Sequence, residues 1–415
     1  MKCTYLVQYF PPEQASGLQL VEDLLEGFTE QGWEVNLFTP TPTRGVTAEQ
    51  RKEYARKRIE KKHDGKLTIH RMHLYREGTG FIPRALRYFL FSIECFWKAA
   101  TVPADFIFTG SGPPTQGVIV GLAKKFSRHK KVVYNLQDIF PDSLITSGIS
   151  NEKSILMRIG RRMENFTYRH ADVIITISED MKENVVRKGV PPEKVAVVRN
   201  WIDVRKTRPV EKAENRLFDE LGLTRDKFYV VYAGNLGKVQ GVEVILQAAE
   251  KLQDQQDIHF VIFGNGSEEE HIREQAKKTT NLSLFPLQPM ERISEVYSLG
   301  DVCIIPCKPG TGGSGMPSKT WTIMATGRAI IASFDRGGEM DKVIREAACG
   351  LCAEAGNAEI LAETVLNLKN HPEQVKQMGD QARKYAEKHV AREQAVQQYV
   401  RVIQDVFLKQ SASRG

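Results

Sequence analysis

Residues 228–241, FYVVYAGNLGKVQG, set the reading of the chain. An apolar run rich in aromatic and β-branched residues, FYVVYA, breaks abruptly into Gly234, Asn235, Leu236 and Gly237. The following VEVILQAAEKLQ (242–253) places Val244, Ile245, Ala248 and Leu252 on one helical face, and IHFVIFGNG (258–266) is again strand-like. Strand, glycine turn, amphipathic helix, strand is the signature of a parallel sheet with crossover helices. The same alternation continues through a charged helix, NLSLFPL (281–287), VCIIP (302–306) and AIIASF (329–334), and the remainder reads as mostly helical.

The first half repeats the pattern. TYLVQYF (4–10), the helix LQLVEDLLEGFTEQG (18–32) and WEVNLFTP (33–40) form one β-loop-α-β unit. Residues 44–66, dense in Arg, Lys and Glu, read as an exposed excursion. Further strands are expected at 68–74, 104–110, 130–138, 170–178 and 195–201, before a polar linker at 202–216. A 415-residue chain exceeds the usual size of one hydrophobic core. The expected architecture is α/β, with two Rossmann-like domains facing across a cleft. The first spans 1–205 and is joined by a C-terminal helix, 392–415; the second spans 206–391.

Composition narrows the functional classes. With 41% apolar and 26% charged residues the chain is globular, and no apolar run reaches the roughly 18–20 residues of a membrane span. The segment MKCTYLVQYFPPE reads as a first strand, not a signal peptide, so a cytoplasmic location is expected. Six scattered cysteines fit free thiols in a reducing compartment. The CxxC pair Cys349 and Cys352 lacks the partners of a zinc site, and no metal site is expected.

The net charge of +7 is lopsided: residues 1–205 hold 31 Lys and Arg against 23 Asp and Glu. Such an excess suits an anionic partner or a solvated face. Without interleaved stacking aromatics or a reader motif, nucleic acid is disfavoured. The helix-patterned stretch FIPRALRYFLFSIECFWKAA (81–100) sets Leu86, Phe89, Leu90, Ile93, Phe96 and Trp97 on one broad face, flanked by Arg84, Arg87 and Lys98. It suits either a membrane interface or packing on a sheet.

Three glycine-bearing turns follow strands of the second domain: Gly234-Asn235-Leu236-Gly237, Gly264-Asn265-Gly266, and the stretch PGTGGSGMPSKTWTIMATGR (309–328). In the last, Gly315, Pro317, Ser318 and Lys319 lead into a helix. Such a helix start suits an anion, and three such turns at one sheet edge favour a phosphorylated ligand. None matches GxxxxGK[ST] or GxGxxG. In the first domain the loops at Ser111–Gly112 and Gln137–Asp138 follow strands and are placed for binding or catalysis.

Together these segments resemble the family-four retaining glycosyltransferases, which have the two-Rossmann GT-B fold. The resemblance rests on QYFPPE with Gly17, VRNWID (198–203), YAGNLGKVQG (232–241), FGNGSEEE (263–270) and PSKTWTIMATGR (317–328). The forms GN-x-G-x-x-QG, RNW-x-D and MPSK are similar to the WbuB-like branch of N-acetylfucosamine transferases of O-antigen assembly. The resemblance implies a retaining transferase that moves a sugar, an N-acetylated amino sugar in that branch, from a UDP-sugar. The implied acceptor is a polyprenyl-diphosphate-linked or other glycan in cell-surface polysaccharide assembly. It implies no metal and no cofactor, while the basic first domain and the aromatic stretch at 81–100 lead to the expectation of peripheral placement through the first domain on the anionic inner face of the plasma membrane. A GT-B scaffold without turnover and a sugar-nucleotide epimerase are the alternatives.

Site residues follow from the same resemblance. Lys319, Lys238 and the amides of Gly315–Ser318 are expected to stabilise the diphosphate leaving group. Gly17 is expected to let the first loop approach the diphosphate. Gly234, Asn235, Gly237, Gly264, Gly266 and Pro317 complete the donor side. The family's Arg and Lys in the loop after the first strand of this domain correspond to Asn235 and Gln240, with Lys238 between them. Its Glu-x7-Glu pair falls on Ser314 and Thr322, leaving Glu339 as the candidate for the ribose hydroxyls or as a helix N-terminal charge. On the acceptor side, Asp138 is expected to orient or deprotonate the acceptor hydroxyl, or else to cap the next turn. Ser111 and Gln137 join it on the acceptor side, as does Glu13 in the Gly17 loop.

Overall fold

A computed structural model describes residues 1–15, 17–74, 81–146, 151–312 and 316–412; for residues 81, 82, 84, 85, 146 and 409–412 only the backbone is described. The chain divides into two compact units, Met1–Arg199 with Ala395–Gly415, and Asn200–Gln394.

The first unit is built on strands β1 (Lys2–Leu6), β2 (Glu34–Pro40), β3 (Ile59–Lys62), β4 (Leu67–Met72), β5 (Phe106–Gly110), β6 (Lys131–Leu136), β7 (Val173–Thr176) and β8 (Val195–Val197). Their order is β3-β4-β2-β1-β5-β6-β7-β8, parallel throughout except for β3, which runs antiparallel to β4. Successive side chains point to opposite faces, so each face has its own core. On one, Ile107, Val132 and Ile174 pack under the helices Phe81–Thr101, Thr115–Phe126 and Ile155–His170. Gly117 and Gly121 bring the last two together, since a Cβ on Gly117 would overlap Thr167. On the other face Phe106 and Phe108 meet Phe28, Phe407 and Tyr399. The final helix, Arg392–Ala412, thus packs on the first unit, with Val396 seated where Gly27 has no side chain.

The second unit holds β9 (Phe228–Asn235), β10 (Ile258–Asn265), β11 (Leu282–Phe285), β12 (Val302–Pro306), β13 (Ala329–Phe334) and β14 (Gly350–Glu354) in the all-parallel order β11-β10-β9-β12-β13-β14. Every residue of β12 and β13 is buried, because helices cover both faces of a parallel sheet. The strand order reverses direction at β1/β5 in the first unit and at β9/β12 in the second. Loops leave such a point toward opposite faces and open a crevice at the carboxyl ends of the strands. This feature positions the candidate site.

Several details differ from the sequence expectation. The units part at 199/200 and 394/395, not at 205/206 and 391/392, because the two crossings are stitched together: the Ile202 amide donates to Val390 O (3.0 Å) and the Arg392 amide to Ile202 O (3.1 Å). The 44–66 excursion contains the helix Ala48–Arg56, started by a Thr47/Gln50 capping box, and edge strand β3. The mostly helical C-terminal stretch also contains β14. In the helix Phe81–Thr101, Phe91, Cys95 and Ala99 face the core, while Leu86, Phe89, Ile93 and Trp97 are 51, 61, 39 and 58% exposed. Arg87 does not flank that exposed stripe; it is buried and donates to Thr41 O at 3.3 Å. Lys98 likewise turns inward over the Phe38 ring. The Arg84 side chain, Ser314 and Gly315 lie outside the described residues.

Candidate functional site

The carboxyl edge of the second sheet is drawn tight by its glycines. Gly264 and Gly266 each leave room for Leu236, which a Cβ on either would meet at 2.6 Å. The Leu236 amide donates to Asn265 O (2.8 Å) and the Glu268 amide to Leu236 O (2.9 Å). Gly241, at φ +65, lies against the Cys307–Lys308 backbone, and the Lys308 amide donates to Val239 O (3.2 Å). The turns after β9, β10 and β12 therefore form one connected rim around the β9/β12 switch point.

Lys319 occupies that rim. It begins the helix Lys319–Ala325, and its Nζ lies 4.1 Å from the centroid of the Tyr232 ring on β9. Among the described residues no carboxylate pairs with it. Burial alone pushes its ammonium from the ordinary 10.5 down to about 8. A cation held at a switch point without a counter-ion among the described residues suits an anionic ligand. Lys238 lies on the same rim, in the 3-10 turn Lys238–Gln240, with its side chain exposed.

The glycine loop itself is partly occupied. The amides of Gly310 and Gly312 donate to the Asp335 carboxylate at 3.0 and 2.8 Å, so these groups serve the loop's own fold. Pro317 and Ser318 precede Lys319 without a side-chain cap. Glu339 stands buried at the first turn of the helix Glu339–Ala347 after β13. Asn235 is exposed at the end of β9 beside Gly237.

In the first unit the loops after β5 and β6 are fastened together. Ser111 Oγ accepts the amides of Gln137 (3.1 Å) and Asp138 (3.2 Å). The Gln137 side chain donates to Asn135 Oδ1, which also accepts from the Tyr399 hydroxyl. Ser111 and Gln137 are thus framework for the loop that presents the exposed Asp138. Glu13 is turned inward: it is 4% exposed, and Oε1 accepts the amides of Thr43 (2.8 Å) and Arg44 (3.2 Å). Its carboxylate latches the β1 and β2 loops together, a structural task at a position where the sequence reading expects an acceptor-side residue. Gly17 adopts φ +77 at the start of the helix Leu18–Glu30, with nothing within 4 Å of a Cβ placed there.

Sequence reasoning missed Tyr232 and Asp335. Tyr232 is embedded in the apolar FYVVYA run, where an aromatic residue signals only a strand; Asp335 is 23 residues from its Gly312 partner. Among the described residues no group of three or more metal-ligating side chains exists.

Residues 19–201 match the Glycosyl transferase 4-like domain and residues 213–385 match the Glycosyl transferases group 1 family. The chain is therefore a two-domain α/β glycosyltransferase of the GT-B type. It is similar to WcaI of Escherichia coli K12, named as a colanic acid biosynthesis glycosyl transferase, at 24% identity over 95% of this chain and 98% of that protein. It also resembles WbjE of Pseudomonas aeruginosa, named as a glycosyltransferase, at 26% identity over 63% of this chain and 65% of that one. Among solved structures, HepE of Anabaena in complex with UDP superposes with a TM-score of 0.71 at 15% identity, covering 98% of this chain and all of that one.

Proposed function

We propose that the protein transfers a sugar, with retention of configuration, from a UDP-sugar to a lipid-linked or other glycan acceptor in cell-surface polysaccharide assembly. The observation that carries this reading is the Lys319 ammonium, held at the β9/β12 switch point with no carboxylate partner among the described residues. Breaking the anomeric bond loads charge on the β-phosphate, and a cation already desolvated and positioned there needs no reorganisation to meet it. Lys238 and the backbone at Ser318 are the supporting donors in this proposal. Glu339 takes the ribose hydroxyls, and Asp138 receives the acceptor proton. The N-acetylated amino sugar and polyprenyl-diphosphate acceptor are the finer form of the proposal, supported by the WbuB-like sequence forms, as is transfer without a metal or cofactor. The polysaccharide context is supported by the named role of WcaI.

The first unit is proposed to rest on the anionic inner face of the plasma membrane. The exposed stripe of Phe89 and Trp97 supports this, together with exposed Phe126, Ile155 and Ile159 on the neighbouring helices and the exposed cations Arg158 and Arg162 beside them.

The test is UDP binding by calorimetry, paired with transfer assays over a panel of UDP-sugars. Wild type should bind UDP, and Lys319→Ala should lose roughly 10²–10³ in kcat. Removing the ribose 2′-hydroxyl should weaken binding to wild type but not to Glu339→Ala. If no nucleotide bound, or Lys319→Ala retained full turnover, the proposal would fail.

A further inference from the structure

Half-buried Lys124, Lys188 and Lys212 meet carboxylates, whereas Lys319 meets an aromatic face. Tyr232 is 1% exposed on β9, and its hydroxyl donates to the Asn235 carbonyl at 2.7 Å, which fixes the ring plane from the far end. Its ring lies 4.1 Å from the Lys319 Nζ, within the range of a cation–π contact. The space between them is kept open by Gly234, whose missing Cβ would stand 2.6 Å from that Nζ and 3.4 Å from the Tyr232 hydroxyl. Three separate features thus converge on the position of one ammonium group: the tied hydroxyl, the ring and the absent side chain.

We infer that Tyr232 is a positioning residue for sugar transfer: its ring holds the Lys319 ammonium at the switch point in place of a carboxylate. The inference deepens the nucleotide-sugar reading above and rests on it for its functional half. A carboxylate in the same position would neutralise the lysine and compete with a phosphate for its N–H groups. An aromatic face attracts the charge but accepts no conventional hydrogen bond, so the ammonium keeps its donors for the ligand.

Two measurements on the full-length protein separate this inference from the broader reading. The first needs no ligand: lysines are reductively 13C-methylated, and the Lys319 resonance is assigned by its disappearance in Lys319→Arg. An upfield ring-current shift should be present in wild type and Tyr232→Phe and absent in Tyr232→Leu. Its absence from wild type overturns the inference, whatever the protein binds. The second is a double-mutant cycle read by UDP calorimetry. Tyr232→Phe should bind UDP within about twofold of wild type, while Tyr232→Leu should bind roughly 3- to 30-fold more weakly. In a Lys319→Met background the Tyr232→Leu change should cost nothing further. An equal loss in both backgrounds would make Tyr232 a structural core residue only and overturn the inference. A shifted lysine resonance without nucleotide binding would keep the pairing, refute its role in transfer and sink the nucleotide-sugar proposal.

Discussion

Gly234 and Lys319 occupy each other's space: a Cβ on the glycine would stand 2.6 Å from the lysine Nζ. The atom displaced by Gly234→Ala is the tip of a flexible side chain, so the fold should survive while the ammonium moves off the Tyr232 ring. The backbone at φ +151 adds strain for any L-residue, on the order of 1–3 kcal/mol. Gly234→Ala should therefore lower UDP affinity about as much as Lys319→Met, and the double variant should lose no more than either alone. A Gly234→Ala protein that binds UDP like wild type would show that the lysine tip is not the group that meets the ligand.

The pH dependence of binding should carry the Lys319 signature. Its proton affinity is depressed to about 8, against 10.5 for an ordinary lysine. UDP prefers the charged form, so affinity should be flat from pH 7 to about 8 and then fall toward tenfold per pH unit. Lys319→Arg should abolish that alkaline limb, because a guanidinium stays charged. The linkage to folding has the opposite sign. Between about 8 and 10.5 the unfolded chain binds more protons at this group than the folded one, so ligand-free stability should rise with pH in that window, and Lys319→Met should lack the rise.

The central strands were legible because parallel sheets covered on both faces spell near-continuous apolar runs, as VCIIP and AIIASF do. Strand β3, IEKK, was not: an edge strand with three charged residues has no apolar signal. Strand β14 was lost in the same way, being only partly buried over GLCAE. The position of Lys319 could be read from its Gly-rich approach. Its Tyr232 partner is 87 residues away, and only the β9/β12 adjacency brings the two together. Arg87 misled because helical spacing gives its angle on the helix but not the buried Thr41 carbonyl that receives it.

Membrane association should depend on the exposed stripe and not on Arg87. Replacing both Phe89 and Trp97 by Ala should reduce co-sedimentation with phosphatidylglycerol vesicles at low salt by at least about tenfold. Arg158→Ala with Arg162→Ala should weaken it by roughly fivefold per charge and flatten its salt dependence. Arg87→Ala should instead lower Tm, since it strips a buried hydrogen bond from Thr41 O. Unchanged vesicle binding in the aromatic double variant would remove the helix Phe81–Thr101 from the membrane reading.

Arg383 joins the first crossing to the end of the Lys319 helix. Its guanidinium donates to Ala325 O at 2.6 Å and to Thr207 O and Val204 O at 2.9 Å each, while Nε pairs with Glu387. Arg383→Ala strands three carbonyls and should cost about 2–4 kcal/mol, a Tm decrease of about 5–15 °C. Arg383→Lys should recover less than half, because a single ammonium cannot reproduce the planar fork. Full recovery by lysine would mean that charge, not the three-way span, holds the joint.

Asp138 and Ser111 offer a separation of chemistry from scaffolding. Ser111 Oγ accepts the Asp138 amide, so the serine holds the backbone while the carboxylate remains exposed. Ser111→Ala should loosen the loop after β6, raising the acceptor KM with a modest loss of Tm. If Asp138 receives the acceptor proton, Asp138→Asn should keep the loop and Tm intact and lower kcat by about 10²–10⁴-fold at unchanged donor KM. Should Asp138→Asn instead reproduce the Ser111→Ala pattern, with Tm and acceptor KM moving together and kcat retained, Asp138 would be a turn cap and the proton would have to leave by another route.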